Sequence, residues 1–215
     1  MVISRKAYIE LVRRQIYGDQ PSSEANITVG LVNRWLNLGI AAAAKANYRD
    51  NIAIEGINYV NNSFYTTFKS IAVTQDEQFI WKIELPQIPL GIGNSEGIST
   101  LVFKDAATNQ ISQNVVWLSE NQRSFSQGMR EIPNKLLAYS QGKYVYIKST
   151  ILLSEYTATV TMISGGDGTD LTSTVNVPDD YLPTVTEYIK QQLLFQRMQP
   201  QDVANDGADL ATKTA

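Results

Sequence analysis

The chain has 215 residues, a formal net charge of −3, and neither Cys nor His. Those two zeros exclude a disulfide framework, a Cys or His zinc site, and any Ser-His-Asp or Cys-His catalytic unit. The mildly acidic balance lacks the basic excess usual in nucleic-acid-binding domains, and no stretch approaches the roughly 20 consecutive apolar residues of a membrane span.

Residues 4–17 read as a helix, with Ser4 as N-cap and Tyr8, Leu11, Val12 and Ile16 at helical spacing. Gly18 and Pro21 end it. Arg5, Lys6, Glu10, Arg13 and Arg14 interrupt its apolar pattern, so no signal-peptide core is expected and the chain is expected to be made in the cytoplasm. Ser22, Ser23 and Asn26 are cap candidates for a second helix running through Tyr48, with Val29, Val32, Trp35, Leu36, Ile40 and Ala43 on its apolar face. The run Ala41 to Ala44 favours helix and lets a neighbouring helix come close. Residues 1–50 are therefore expected to form an antiparallel helical hairpin.

From 51 to 177 the period changes to two. Ser63–Val73, Gln78–Leu85, Ile98–Phe103, Val115–Leu118, Lys143–Ile147 and Tyr156–Ile163 read as strands, with a short one at Thr172–Val177. Turn residues separate them at Gly91–Asn94, Asp105–Asn109, Ser140–Gly142 and Gly165–Asp170. After Pro178 the helical pattern returns. Asp179 and Asp180 suit a helix start, Val185, Tyr188, Ile189, Gln192, Leu193 and Gln196 line one face with Phe195 beside it, and Pro200 ends it. Residues 178–199 are expected to join the N-terminal helices in a small bundle. Residues 200–215 lack an apolar period and read as an extended arm. The fold class expected is α+β, with helices at both ends of the chain and a central antiparallel β-domain.

Gly165-Gly166-Asp167-Gly168-Thr169-Asp170-Leu171 matches one calcium-binding nonapeptide of a parallel β-helix. A single copy supplies only part of the 6–8 oxygens that calcium needs, so no metal is expected. Gly91-Ile92-Gly93-Asn94-Ser95-Glu96-Gly97 lacks the strand before and helix after that a phosphate cradle requires. Glu77, Glu84, Glu120, Glu131 and Glu155 are the acids available for a glycosidase pair, and nothing in their spacing makes two converge. No catalytic residue and no cofactor is assigned. The candidate partner interface is the basic helix face Arg5, Lys6, Arg13 and Arg14, together with Asp202, Asp206 and Asp209 of the arm, whose opposite charges can pair within a chain or between chains. A weakly charged surface rich in Asn, Gln, Ser and Thr also suits a protein covered by other subunits, because low charge weakens repulsion between copies.

Three stretches carry a resemblance. Ser22-Ser23-Glu24-Ala25-Asn26 opens a long helix containing Asn and Ala. Phe79-Ile80-Trp81-Lys82-Ile83-Glu84-Leu85-Pro86-Gln87-Ile88-Pro89 precedes Gly97-Ile98 and a strand. Val177-Pro178-Asp179-Asp180-Tyr181-Leu182-Pro183 leads into a helix that ends at Gln199-Pro200-Gln201-Asp202-Val203-Ala204-Asn205-Asp206-Gly207. In this layout the chain resembles head–tail connector ring proteins of tailed phages, of the portal-adaptor or gatekeeper type found in short-tailed and crAss-like phages. The resemblance implies a homo-oligomeric ring, of twelve copies, at the portal vertex of a virion. Its partners would be the portal and other tail ring or hub proteins, and DNA would pass through its channel without sequence-specific contacts. It implies no membrane contact and no enzymatic role. A tail-associated β-rich module that binds a glycan or receptor is the second reading, and an enzyme the third.

Overall fold

A computed structural model describes residues 3–17, 28–92, 97–105, 115–118, 136–149, 152–166 and 168–198. Among them, three α-helices pack at one end of a seven-stranded, mostly antiparallel sheet, so the fold is α+β.

Helix α1 (Arg5–Tyr17) is capped by Ser4, whose Oγ accepts the Ala7 N–H at 3.3 Å. Helix α2 (Val29–Glu55) starts later than Ser22 and Asn26 suggest, because Thr28 is the cap, with its Oγ1 accepting the Leu31 N–H at 3.2 Å. It also runs past Tyr48. The first left-handed residue is Gly56, at φ 68°, and its N–H closes the last turn on Ile52. Buried positions on α2 recur at Val32, Trp35, Leu36, Gly39, Ile40, Ala43, Ala44 and Asn47, a single helical stripe. Helix α3 (Leu182–Met198) follows a 3-10 turn over Asp179–Tyr181.

The most extensive helix packing is between α2 and α3. They run antiparallel: Tyr181 before α3 donates to Asp50 late in α2 at 2.7 Å, while Val185 and Tyr188 lie against Gly39. Helix α1 lies against both, and the expected α1–α2 hairpin is the smaller contact. The cause is Gly39 and the alanines after it, which let the backbone of α3 come within reach. A Cβ at Gly39 would stand only 3.3 Å from the Val185 carbonyl oxygen.

The strands are β1 (Tyr65–Glu77), β2 (Ile80–Glu84), β3 (Ile98–Asp105), β4 (Val115–Trp117), β5 (Leu136–Gln141), β6 (Tyr144–Lys148) and β7 (Tyr156–Ile163), ordered β3-β7-β1-β2-β6-β5-β4. All pairs are antiparallel except β4–β5. Strand β1 serves two halves. Its first part pairs with β7 as far as Ala72 and its last part with β2 from Val73, and a bulge between Phe68 and Ile71, with Ser70 at φ 57°, bends it within the β7 pairing. Inward side chains of both halves, among them Trp81, Ile83, Phe103, Ile147, Val160 and Met162, form one cluster, so the sheet closes over its own core. A second core holds the helices against the end of the sheet. The two meet at the end of β7, where Met162 faces one core and Ile163 the other. Thr172–Val177, expected as a strand, contributes only one bridge, Ser4 to Thr174.

Candidate interaction surfaces

The basic face of α1 divides. Lys6 and Arg14 are exposed and Arg13 is half-buried, but Arg5 is 0% exposed and is corrected from interface to interior. Its Nε donates to Asn33 Oδ1 at 3.1 Å, Nη2 to Asn37 Oδ1, and Nη1 to the Gly165 carbonyl at 3.5 Å. Asn33 continues the network to the Gly168 carbonyl at 2.9 Å. Arg5 thus ties the start of α1 to α2 and to the Gly-rich loop after β7. On the other side of α1, Ile3, Ala7, Glu10, Leu11, Arg14 and Gln15 line an open groove of about 540 Å³. Asp202, Asp206 and Asp209 lie outside the described residues.

The described residues of the Gly-rich loop turn polar groups toward their own chain, and Asp167 lies outside the described residues. Gln87 brackets it, donating to the Gly166 carbonyl and accepting from the Gly168 N–H, both at 2.9 Å. Asp170 accepts from the Thr172 N–H at 2.8 Å and its hydroxyl at 2.7 Å, bonds that hold its carboxyl below the usual range. That is an Asx turn. Among the described residues no three acids gather as a metal cluster would need. Of the loop from Gly91 to Gly97, residues 93–96 lie outside the described ones. Its ends hold the sheet margin through Leu90 N–H to Ile163 O and Ile163 N–H to Gly97 O.

The carboxylates are dispersed. Glu77 pairs with Ile80 at one end of β2 and Glu84 stands at the other. Four residues of strand separate them, roughly 13 Å, beyond the range of a glycosidase pair. Glu84 instead accepts from Lys143 at 2.7 Å, which lowers its pKa and raises that of Lys143. Glu155 is exposed in a turn, and Glu120 and Glu131 lie outside the described residues.

Two features were not read from the sequence. The first is apolar exposure at both ends of the helical layer. Ile52, Ile54 and Ile57 stand exposed at the end of α2, Ile54 at 82%. Leu194 and Phe195 stand exposed near the end of α3, Phe195 at 64%. Because α2 and α3 are antiparallel, about 20 residues of helix, roughly 30 Å, separate these sites. The second is aromatic. On the outer face of the β2-β6-β5 half, Tyr139 and Tyr146 stack at 5.2 Å between ring centroids, and Tyr144 follows at 6.4 Å. Lys82 lies 5.3 Å over the Tyr144 ring while bonded to Asp76 at 2.9 Å. These residues share a face because the register pairs Tyr139 with Tyr146 and Lys82 with Tyr146. Trp81 points the other way, into the core, and Trp117 packs against it.

No known protein family matches the chain, and no curated protein does. Among the described residues no helix is long and apolar enough to cross a membrane.

Proposed function

We propose that this protein is a structural ring subunit that joins the capsid portal of a tailed phage to its tail, with DNA passing through the ring. The observation that carries this reading is the exposure of Ile54, Ile57, Leu194 and Phe195 on a helical layer whose own core is already closed. Large apolar side chains left outside a complete core suit burial by other subunits. The resemblance of the three sequence stretches supplies the kind of assembly. In this role the chain is an architectural protein rather than an enzyme, works without a cofactor, and resides at the portal vertex of the virion.

The test is to mix the protein with the portal protein of the same virus and to measure mass and symmetry by native mass spectrometry and electron microscopy. Coaxial rings of matching copy number are expected. A chain that binds neither portal nor tail components, and is missing from purified particles, is not a connector.

The tyrosine face favours a second reading, a tail-associated module that binds glycan. Stacked rings edged by Lys82 and Gln141 offer flat apolar surface beside polar groups. Retention on a glycan array that Tyr144→Ala abolishes would favour it over the ring.

A further inference from the structure

We propose that copies of this chain join front to back, the isoleucine tip of α2 in one copy seating against the Leu194–Phe195 end of α3 in the next. The proposal rests on the ring reading and names the surfaces that build it.

Three observations lead here. The two apolar sites differ in kind: one is a helix terminus followed by the Gly56 turn, the other the flank of a helix. They sit at opposite ends of an antiparallel helix pair, so a single chain cannot bring its own two sites together across roughly 30 Å. Their surroundings carry opposite charge. The α2 tip carries the exposed Asp50 and Glu55, with Arg49 beside them, and the bond from Tyr181 to Asp50 brings the exposed Asp179 and Asp180 to the same end of the helix pair. Lys190 lies one turn before Leu194 with Glu187 a turn earlier, and the exposed Arg34 stands in the first turns of α2, at the same end of the antiparallel pair.

That arrangement disfavours a two-fold contact. An isologous dimer through the α2 tips would bring Glu55 and its acidic neighbours against their own copies, and like charges in contact oppose association. A heterologous contact instead sets the acid-rimmed apolar tip against the base-flanked apolar patch. Joined head to tail, each copy keeps one unused tip and one unused patch, so association propagates until the rotation between neighbours closes a ring, whereas a reciprocal two-fold pairing of tip on patch would stop at a dimer. The partner surface is therefore supplied by a second copy of this chain.

The absence of cysteine from the chain makes disulfide trapping clean. Ile54→Cys, Ile57→Cys, Leu194→Cys and Phe195→Cys are made singly, and each α2 variant is oxidised with each α3 variant. All four positions are exposed, and melting curves check that the fold is kept. At least one mixture is expected to give mixed dimers at tenfold or more over either homodimer. The double variant Ile54→Cys/Phe195→Cys is expected to give a ladder that runs past the dimer and stops at one closed species, and a ladder that stops at the dimer overturns the proposal. Glu55→Lys should reduce trapping several-fold, and Arg34→Glu in the partner copy should restore it. Self-crosslinking of Ile54→Cys alone, or no mixed dimer from any of the four pairings at high protein concentration, overturns the proposal. No portal is present in these reactions, so a failure here is separable from a failure to bind the portal.

Discussion

Arg5 shows how much one buried donor can hold. Its guanidinium donates to two half-buried asparagine side chains and to the buried Gly165 carbonyl. Arg5→Met would remove the donor from the buried Gly165 carbonyl, and an unmet buried polar group costs about 1–3 kcal/mol. A loss of about 1–3 kcal/mol in urea denaturation is expected. Lys6→Met and Arg14→Met, at exposed positions of the same helix, should stay within about 0.5 kcal/mol. Glycines sort the same way. Gly166 has φ 105°, and a Cβ there would lie 2.3 Å from the Thr174 carbonyl oxygen, whereas Gly142 has φ 61° and open space around it. Gly142→Ala should cost about 1 kcal/mol from conformation alone, and Gly166→Ala clearly more, read from the same denaturation curves. Tyr8 adds a pH dependence. Burial pushes its hydroxyl above the ordinary 10.0, against a smaller lowering from its bond to Thr186. The folded state holds this proton more tightly, so the contribution is complete below pH 10 and is lost as pH rises through the folded value. Between about pH 9 and 11, the urea midpoint of Tyr8→Phe should therefore fall less than that of the parent.

Within α2, two glycines predict opposite outcomes. At Gly30 a Cβ would meet only Thr28 Oγ1 at 3.9 Å, so Gly30→Ala should stabilise by about 0.5 kcal/mol through helix propensity. At Gly39 the same gain meets Val185 Cγ1 at 3.2 Å and its carbonyl at 3.3 Å. Separating α2 from α3 outweighs it, and Gly39→Ala should lower the melting temperature. Elements whose signals are local were legible in the sequence: the Ser4 cap, the apolar stripe from Val32 to Ala44, and the alternation of Tyr156–Ile163. Strand β5 was not. Its Leu136-Leu137-Ala138 run is buried at three successive positions, so it shows no alternation, and its residues favour helix. The bend at Ser70 left no glycine as a marker. Arg5 reads as surface because its charge says so, and its burial is decided by Asn33 and Gly165, distant along the chain. The exposed isoleucines fell beyond Tyr48, where the helical reading stopped seven residues before Glu55 ends α2.

At the scale of the molecule, both cores are complete by Leu193 among the described residues. A chain ending at Gln199 is therefore expected to melt with the full chain. If the basic face of α1 engages Asp202, Asp206 and Asp209 of a neighbour, the shortened chain should assemble less well in the same native mass measurement. Salt should weaken that part of the contact and spare the apolar part. The split of β1 between β7 and β2, together with the docking of α3 on α2, also sets a timetable for synthesis. The β1–β2 hairpin can form as soon as it emerges. By contrast, Tyr65 must wait for Ile163, and the stripe of α2 must wait for Val185, Ile189 and Leu193. At roughly 5–20 residues per second on the ribosome, that stripe stays without its α3 partner for roughly 7–30 s. A nascent chain halted before Leu182 thus lacks the part of the cover of α2 that α3 supplies, and is expected to aggregate or engage a chaperone more than the full chain does.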